Sequence, residues 1–222
     1  MMAYRWNFAD VWANTDVLLV GALGTLRLFA VCAVVGLSLG LLVGLARYSK
    51  RRGLHWPATA FVEFFRNTPV LVQILWFYFA LPILLPFEVS PLMAAALGIS
   101  LNSAAFSAEI YRGGIQSIDR GQWEAARALG MTQAQALRRI VLPQALRRML
   151  PALTNRGIEI FKMTTLASAV AYVDLLQQGK LLASLNFNPI ETYSVIAVVF
   201  FLCLFPLVQA TFALERRLRR SD

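Results

Sequence analysis

The chain has 222 residues, of which 58% are hydrophobic and only 15% charged, and its mean hydropathy is +0.60. A soluble globular domain carries about 25% charged residues, so much of this surface faces lipid, and the length leaves no room for a separate catalytic domain. The net charge of +9 would suit a nucleic-acid binder, but its placement beside apolar runs fits membrane orientation better and excludes nucleic acid as a partner.

Residues 1–16 read as an extracytoplasmic lead, with Trp6, Phe8 and Trp12 suited to the membrane interface. Arg5 is its only positive charge, which makes a poor signal peptide. The first predicted span covers residues 17–46 and is interrupted by Arg27. Gly36, Gly40 and Gly44, four residues apart, form a stripe that lets a neighbouring helix approach closely. Cys32 and Cys203 both lie in apolar runs and read as small buried hydrophobes. His55 is the single histidine, which leaves little scope for imidazole catalysis or metal binding.

A second span is predicted over 58–84. Pro69 within it frees a backbone carbonyl, which must find a protein or water partner. The third span, 90–111, carries Asn102 and Glu109, and Glu109 can pair with Arg112 across one turn. Residues 113–149 contain no spanning run and read as helices with mixed faces. Pro143 is expected to end or redirect the helix that begins near Thr132, and Pro151 to begin the next crossing.

The fourth span, 151–173, is the most polar. Arg156, Glu159 and Lys162 recur every three residues and are expected near one face. This stripe suits either an internal ion pair of Glu159 with a basic neighbour or contact with cargo. A fifth span covers 189–214, followed by the basic cytoplasmic tail 215–222. Five crossings with the N-terminus outside put three basic clusters on the cytoplasmic side: Arg47 to Arg52, Arg138 to Arg148, and Arg216 to Arg220.

The central segment resembles the coupling loop of binding-protein-dependent ABC importer permeases. Glu124, Ala125 and Ala126 are followed by Gly130 and then by Ile140, Leu142 and Pro143, at the family's separations. The stretch from Glu109 to Gly121, and that from Phe65 through Pro69 to Gln73, resemble the polar amino-acid branch of histidine, glutamine and glutamate importers. The resemblance implies an all-α, polytopic type I ABC importer permease fold with five transmembrane helices, in the cytoplasmic (inner) membrane of a bacterium. It also implies a permease domain over 17–214 that includes the coupling segment 113–149.

By that resemblance, Glu124, Ala125, Ala126, Arg127, Ala128, Leu129, Gly130, Met131 and Pro143 couple the chain to an ATP-binding subunit. Small residues seat closely in a partner groove, Leu129 and Met131 bury apolar surface, and Gly130 permits the helix-ending geometry. Implied partners are two ATP-binding subunits, a second permease copy or similar permease subunit, an extracytoplasmic solute-binding protein, membrane lipid and a polar amino acid such as glutamate or aspartate. No Gly-x-x-x-x-Gly-Lys-Ser/Thr loop occurs. No cofactor is therefore expected on this chain, which is read as a non-catalytic subunit, with ATP and Mg in the partner ATPase. Candidate path residues are Asn102, Asn155, Glu159 and Lys162, because opposite charges beside a water-filled path can hold a zwitterion. Many relatives have Lys-Asp-Thr-Ser-Leu where this chain has Lys162, Met163, Thr164, Thr165 and Leu166.

Overall fold

The computed structural model describes residues 5–84 and 86–218, and every regular element among them is helical. The chain opens with α1 (Ala9–Ala13), α2 (Thr15–Tyr48) and α3 (Arg52–Asn67), followed by α4 (Val70–Leu75) and α5 (Leu81–Leu84). The long α6 (Pro91–Gln116) leads to the short α7 (Arg120–Ala128) and α8 (Gln133–Ala136). Then come α9 (Leu142–Met163), α10 (Leu175–Asn186) and α11 (Pro189–Leu218). The end of the lead (residues 1–4) and of the basic tail (219–222), with Arg219 and Arg220, lies outside the described residues.

Among the described residues three helices, α2, α6 and α11, are long and apolar enough to cross a membrane. At about 1.5 Å per residue, the 34 residues of α2 exceed the roughly 30 Å of a hydrocarbon core. Two of the expected spans take a different form. The second is a bent pair, with α3 meeting the Val70–Leu84 stretch at 103°. The fourth has no apolar helix of its own. Its first residues belong to α9, which carries Pro151 inside it and ends at Met163. A 3-10 stretch, Thr164–Val170, and a left-handed Ala171 (φ 55°) follow. The helix begins well before Pro151 because the widened turn upstream absorbs Pro143.

That turn recurs. Pro82 and Pro143 each follow a π-helical stretch, Trp76–Ala80 and Leu137–Val141. A proline ring collides with the carbonyl four residues back and offers it no N–H. Those carbonyls, on Tyr78 and Arg139, lie inside the wide turns. The helix continues through both prolines instead of breaking, so Pro143 does not end its helix.

The chain divides into two compact units. One is drawn from the described residues of Met1–Cys32, Val70–Ile99 and Ile158–Val208, and the other from Ala33–Pro69, Ser100–Gly157 and Gln209–Asp222. In the first, Val11, Leu18, Leu175, Leu182 and Ile196 form a core. There α10 is tied to α2 through the Thr25 hydroxyl, which accepts from Leu175 N at 3.0 Å. In the second, the glycine stripe lies against α6: a Cβ on Gly36 would stand 2.7 Å from Ser103 Cβ, and one on Gly40 would stand 2.6 Å from Ser107 Cβ. Cys32 is buried, but Cys203 is exposed on α11 among outward-facing Phe201, Leu202 and Phe205, so only one of the two thiols is a core residue.

The stripe gives a direct expectation. Gly40→Ala should lower the unfolding temperature in detergent, because the added methyl meets α6. Gly53→Ala, with open space around it, should be neutral or stabilising by up to about 1 kcal/mol. Equal unfolding temperatures for the two variants would refute close packing at Gly40.

Candidate functional site

The motif helix α7 is built to hold its shape. Asp119 caps its start by accepting from Gly121 N at 2.6 Å. Its end is a Schellman motif: Met131 N donates to Ala126 O at 3.0 Å and Gly130 N to Arg127 O at 2.9 Å. Gly130 sits at φ +73°, where a side chain would be strained. A capping box follows at once, with Thr132 Oγ1 accepting from Gln135 N and Gln135 Oε1 accepting from Thr132 N.

The seat of α7 is apolar. Tyr111, Ile115, Ile118, Val141, Ala145 and Met149 form a buried cluster, and Trp123 packs on it. Trp123 also stacks on Tyr48 of α2, with ring centroids 6.5 Å apart. The motif divides around this seat. Ala126 is fully buried in the chain's own fold and offers nothing to a partner, unlike the small face expected of it. Glu124, Ala125, Arg127, Ala128, Leu129 and Gly130 are exposed, Leu129 at 75%. Met131 is half-buried, and Pro143 is exposed in the first turn of α9.

Above this seat one carboxylate gathers three arginines. Glu109 pairs with Arg47 of α2, with Arg112 at 2.8 Å and with Arg66 of α3 at 3.7 Å; Glu63 adds a contact to Arg47 at 3.1 Å. The expected Glu109–Arg112 pair is thus one arm of a hub that joins α2, α3 and α6.

A second polar centre is more deeply buried. Asn102 donates from Nδ2 to Phe65 O at 2.8 Å and accepts at Oδ1 from Arg156 at 3.0 Å. Arg156, only 3% exposed, also reaches Ser103 Oγ at 3.2 Å and lies over the Phe106 ring at 4.6 Å. Both polar groups of Asn102 are therefore engaged inside the chain. The other candidate path residues, Asn155, Glu159 and Lys162, are all exposed on α9. Arg156 does not share their face. Residues three apart on an α-helix are about 60° apart around the axis, so a three-residue repeat drifts, whereas 155, 159 and 162 follow the four-then-three rhythm of one face.

Two features escaped the sequence reading. Arg156 is the anchor of Asn102, and the cue was a cation in line with amide and hydroxyl groups of another span. The helix α10 was missed as well; its mark is Asp174, which caps it by accepting from Gln177 N at 2.6 Å. No group of three or more His, Cys, Asp or Glu placed to hold a metal ion occurs among the described residues.

Residues 36–220 match the family model described as "Binding-protein-dependent transport system inner membrane component". The glutamine transport system permease protein GlnP of Escherichia coli (strain K12) is 36% identical over 97% of this chain and 99% of its own length. The arginine transport system permease protein ArtQ of Bacillus subtilis (strain 168) is 33% identical over 97% of this chain and 99% of its own. Among solved structures, the crystal structure of an amino acid ABC transporter with histidines superposes with a TM-score of 0.90 at 33% identity, covering 96% of this chain and all of that one. A chain of the inward-facing MetNI methionine ABC transporter gives a TM-score of 0.74 at 25% identity, over 93% of this chain and 96% of the other.

Asn102→Leu removes both bonds of the amide, leaving Arg156 its contacts to Ser103 and the Phe106 ring. Its expected cost is about 1.5–3 kcal/mol, read as a lower unfolding temperature in detergent. Adding Arg156→Met should recover part of that loss. An Asn102→Leu protein as stable as the parent would show that the buried pair contributes nothing.

Proposed function

The chain belongs to the family of binding-protein-dependent transport system inner membrane components, and from that premise we propose that it is the permease of an ATP-driven importer of polar amino acids. Its fold is the all-α, polytopic membrane fold typical of type I ABC importer permeases, and it is a non-catalytic membrane component. The observation that carries the coupling assignment is the rigid motif helix, α7, seated on its own core and ending in an exposed Leu129–Gly130 tip. Such a tip fits a groove in a soluble ATPase, where burying a leucine is worth about 1.5–3 kcal/mol.

In this reading the chain crosses the membrane five times. Within the bent α3–α5 stretch the Val70–Leu84 limb forms the second crossing and α3 lies at the membrane surface, and the end of α9 with its 3-10 extension forms the fourth. Among the described residues, every lysine and arginine but Arg5, Arg27, Lys162 and Lys180 belongs to the second unit. That asymmetry favours a cytoplasmic position for these basic residues and an N-terminus outside. Two permeases, identical or similar, pair above two ATPase copies that bind ATP and Mg, and a solute-binding protein delivers the cargo. Glu159 and Lys162, exposed and three residues apart on one helix, offer opposite charges to a zwitterion. The names of GlnP and ArtQ favour an amide or cationic amino acid over glutamate or aspartate.

Purification from native membranes in mild detergent should retain an ATP-binding subunit, and consistent failure after cross-linking would overturn the assignment. In the reconstituted complex, Leu129→Asp should weaken ATPase association at least about tenfold and lower ATP hydrolysis stimulated by the binding protein. Undiminished stimulation would exclude Leu129 from the contact. Lys162→Ala should alter uptake efficiency or the range of amino acids accepted, and an unchanged profile would remove Lys162 from the path.

A further inference from the structure

Beside the motif helix lies a polar cavity lined by none of the residues assigned to coupling. Its volume is about 360 Å³, and Arg47, Tyr48, Ser49, His55, Arg112 and Gln116 line it where α2 gives way to α3. The lining is positive on balance. Arg47 and Arg112 share Glu109 with Arg66, so one carboxylate faces three guanidinium groups. Glu63, the second acid nearby, is more than half exposed to solvent. Lys50, Arg51 and Arg52 come directly after Ser49 in the chain, all of them exposed. Neutral polar groups are also at hand in Tyr48, Ser49 and Gln116. His55 Nδ1 donates to Arg47 O at 2.7 Å, because a carbonyl can only accept, so that bond holds the wall rather than a ligand.

The helix α3 supplies an independent observation. It buries Ala58 and Val62 and exposes Trp56 and Phe64 on the opposite side, about 80° apart around the axis, with Trp56 at 64%. A basic start joined to an exposed aromatic side is the makeup of a helix that lies among lipid headgroups. Such a helix sets the level of the headgroup layer beside the cavity.

We propose that this cavity binds the phosphodiester headgroup of an anionic lipid of the cytoplasmic leaflet. The guanidinium groups of Arg47 and Arg112 face the phosphate, and the Ser49 and Tyr48 hydroxyls and the Gln116 amide provide hydrogen bonds. The exposed face of α3 rests on the acyl boundary. Because Tyr48 also stacks on Trp123, an occupied cavity braces the base of α7, so lipid composition sets how firmly the motif helix is held. The choice of leaflet rests on the topology proposed for the transport reading.

The test is native mass spectrometry of the purified full-length chain with added phosphatidylglycerol or phosphatidylcholine. The parent protein should retain phosphatidylglycerol in preference. Gln116→Glu and Ser49→Asp each put a negative charge into the cavity wall while preserving an existing acceptor. Gln116 Oε1 accepts from Arg112 at 2.9 Å, and Ser49 Oγ accepts from Arg51 N at 3.2 Å. Each variant should retain phosphatidylglycerol about fivefold less, the effect of one charge near such a surface. Equal retention of the two lipids by the parent, or full retention by both folded variants, would overturn the proposal. Displacement of the lipid by millimolar inorganic phosphate would overturn the lipid assignment in favour of a free-phosphate site, and resistance to it supports the lipid. The readout needs no ATPase and no amino acid, so its failure is separate from failure of the transport reading.

Discussion

Proline 69 has no N–H to give, and the fate of the carbonyl it leaves behind organises the second unit. The helix α3 stops at Asn67, and Phe65 O takes its hydrogen bond from Asn102 on α6 instead of from the chain ahead. Asn102 is held in turn by Arg156 of α9. A missing backbone donor is thus converted into a tie among three helices. A carbonyl left bare in an apolar interior costs several kcal/mol, and a bare guanidinium costs more. Each group in this series is therefore needed by the next.

The Glu109 hub works by a different principle nearer the motif helix. It is only partly screened from water, so its contribution to stability is modest. Its value lies in geometry: α2, α3 and α6 converge on one carboxylate. The apolar cluster around Met149 and the Tyr48–Trp123 stack carry that positioning to α7. The exposed tip is therefore braced by charge on one side and by packing on the other, while its own end is closed by backbone hydrogen bonds.

Much of this was legible in the sequence, and the failures have physical causes. The glycine stripe was readable because only small residues at four-residue spacing let backbones approach, and Gly36 and Gly40 do meet α6. Pro69 announced a free carbonyl, although its partner lay in another span and had no local signal. Hydropathy located α2 and α11, whose outward faces are apolar, and α6, whose apolar residues are mostly packed inside. It failed where polar groups face inward, as Arg156 does, because a composition window cannot tell a lipid-facing residue from one bonded inside. The candidate site was half legible. The motif marked α7, but the same Glu-Ala-Ala letters serve two purposes, with Ala126 packing inward and Ala125 facing out.

The wide turn at Leu137–Val141 bears on how chains of this kind change in length. A π turn closes over five residues instead of four, so it stores one surplus residue ahead of α9. Deleting a residue there would tighten the turn to α geometry without rotating α9, leaving Arg156 turned toward Asn102. It would also press the Pro143 ring against the carbonyl of the turn behind it. A deletion at this point and the loss of Pro143 are therefore linked events. A lineage that keeps the proline must keep the residue count between α8 and α9.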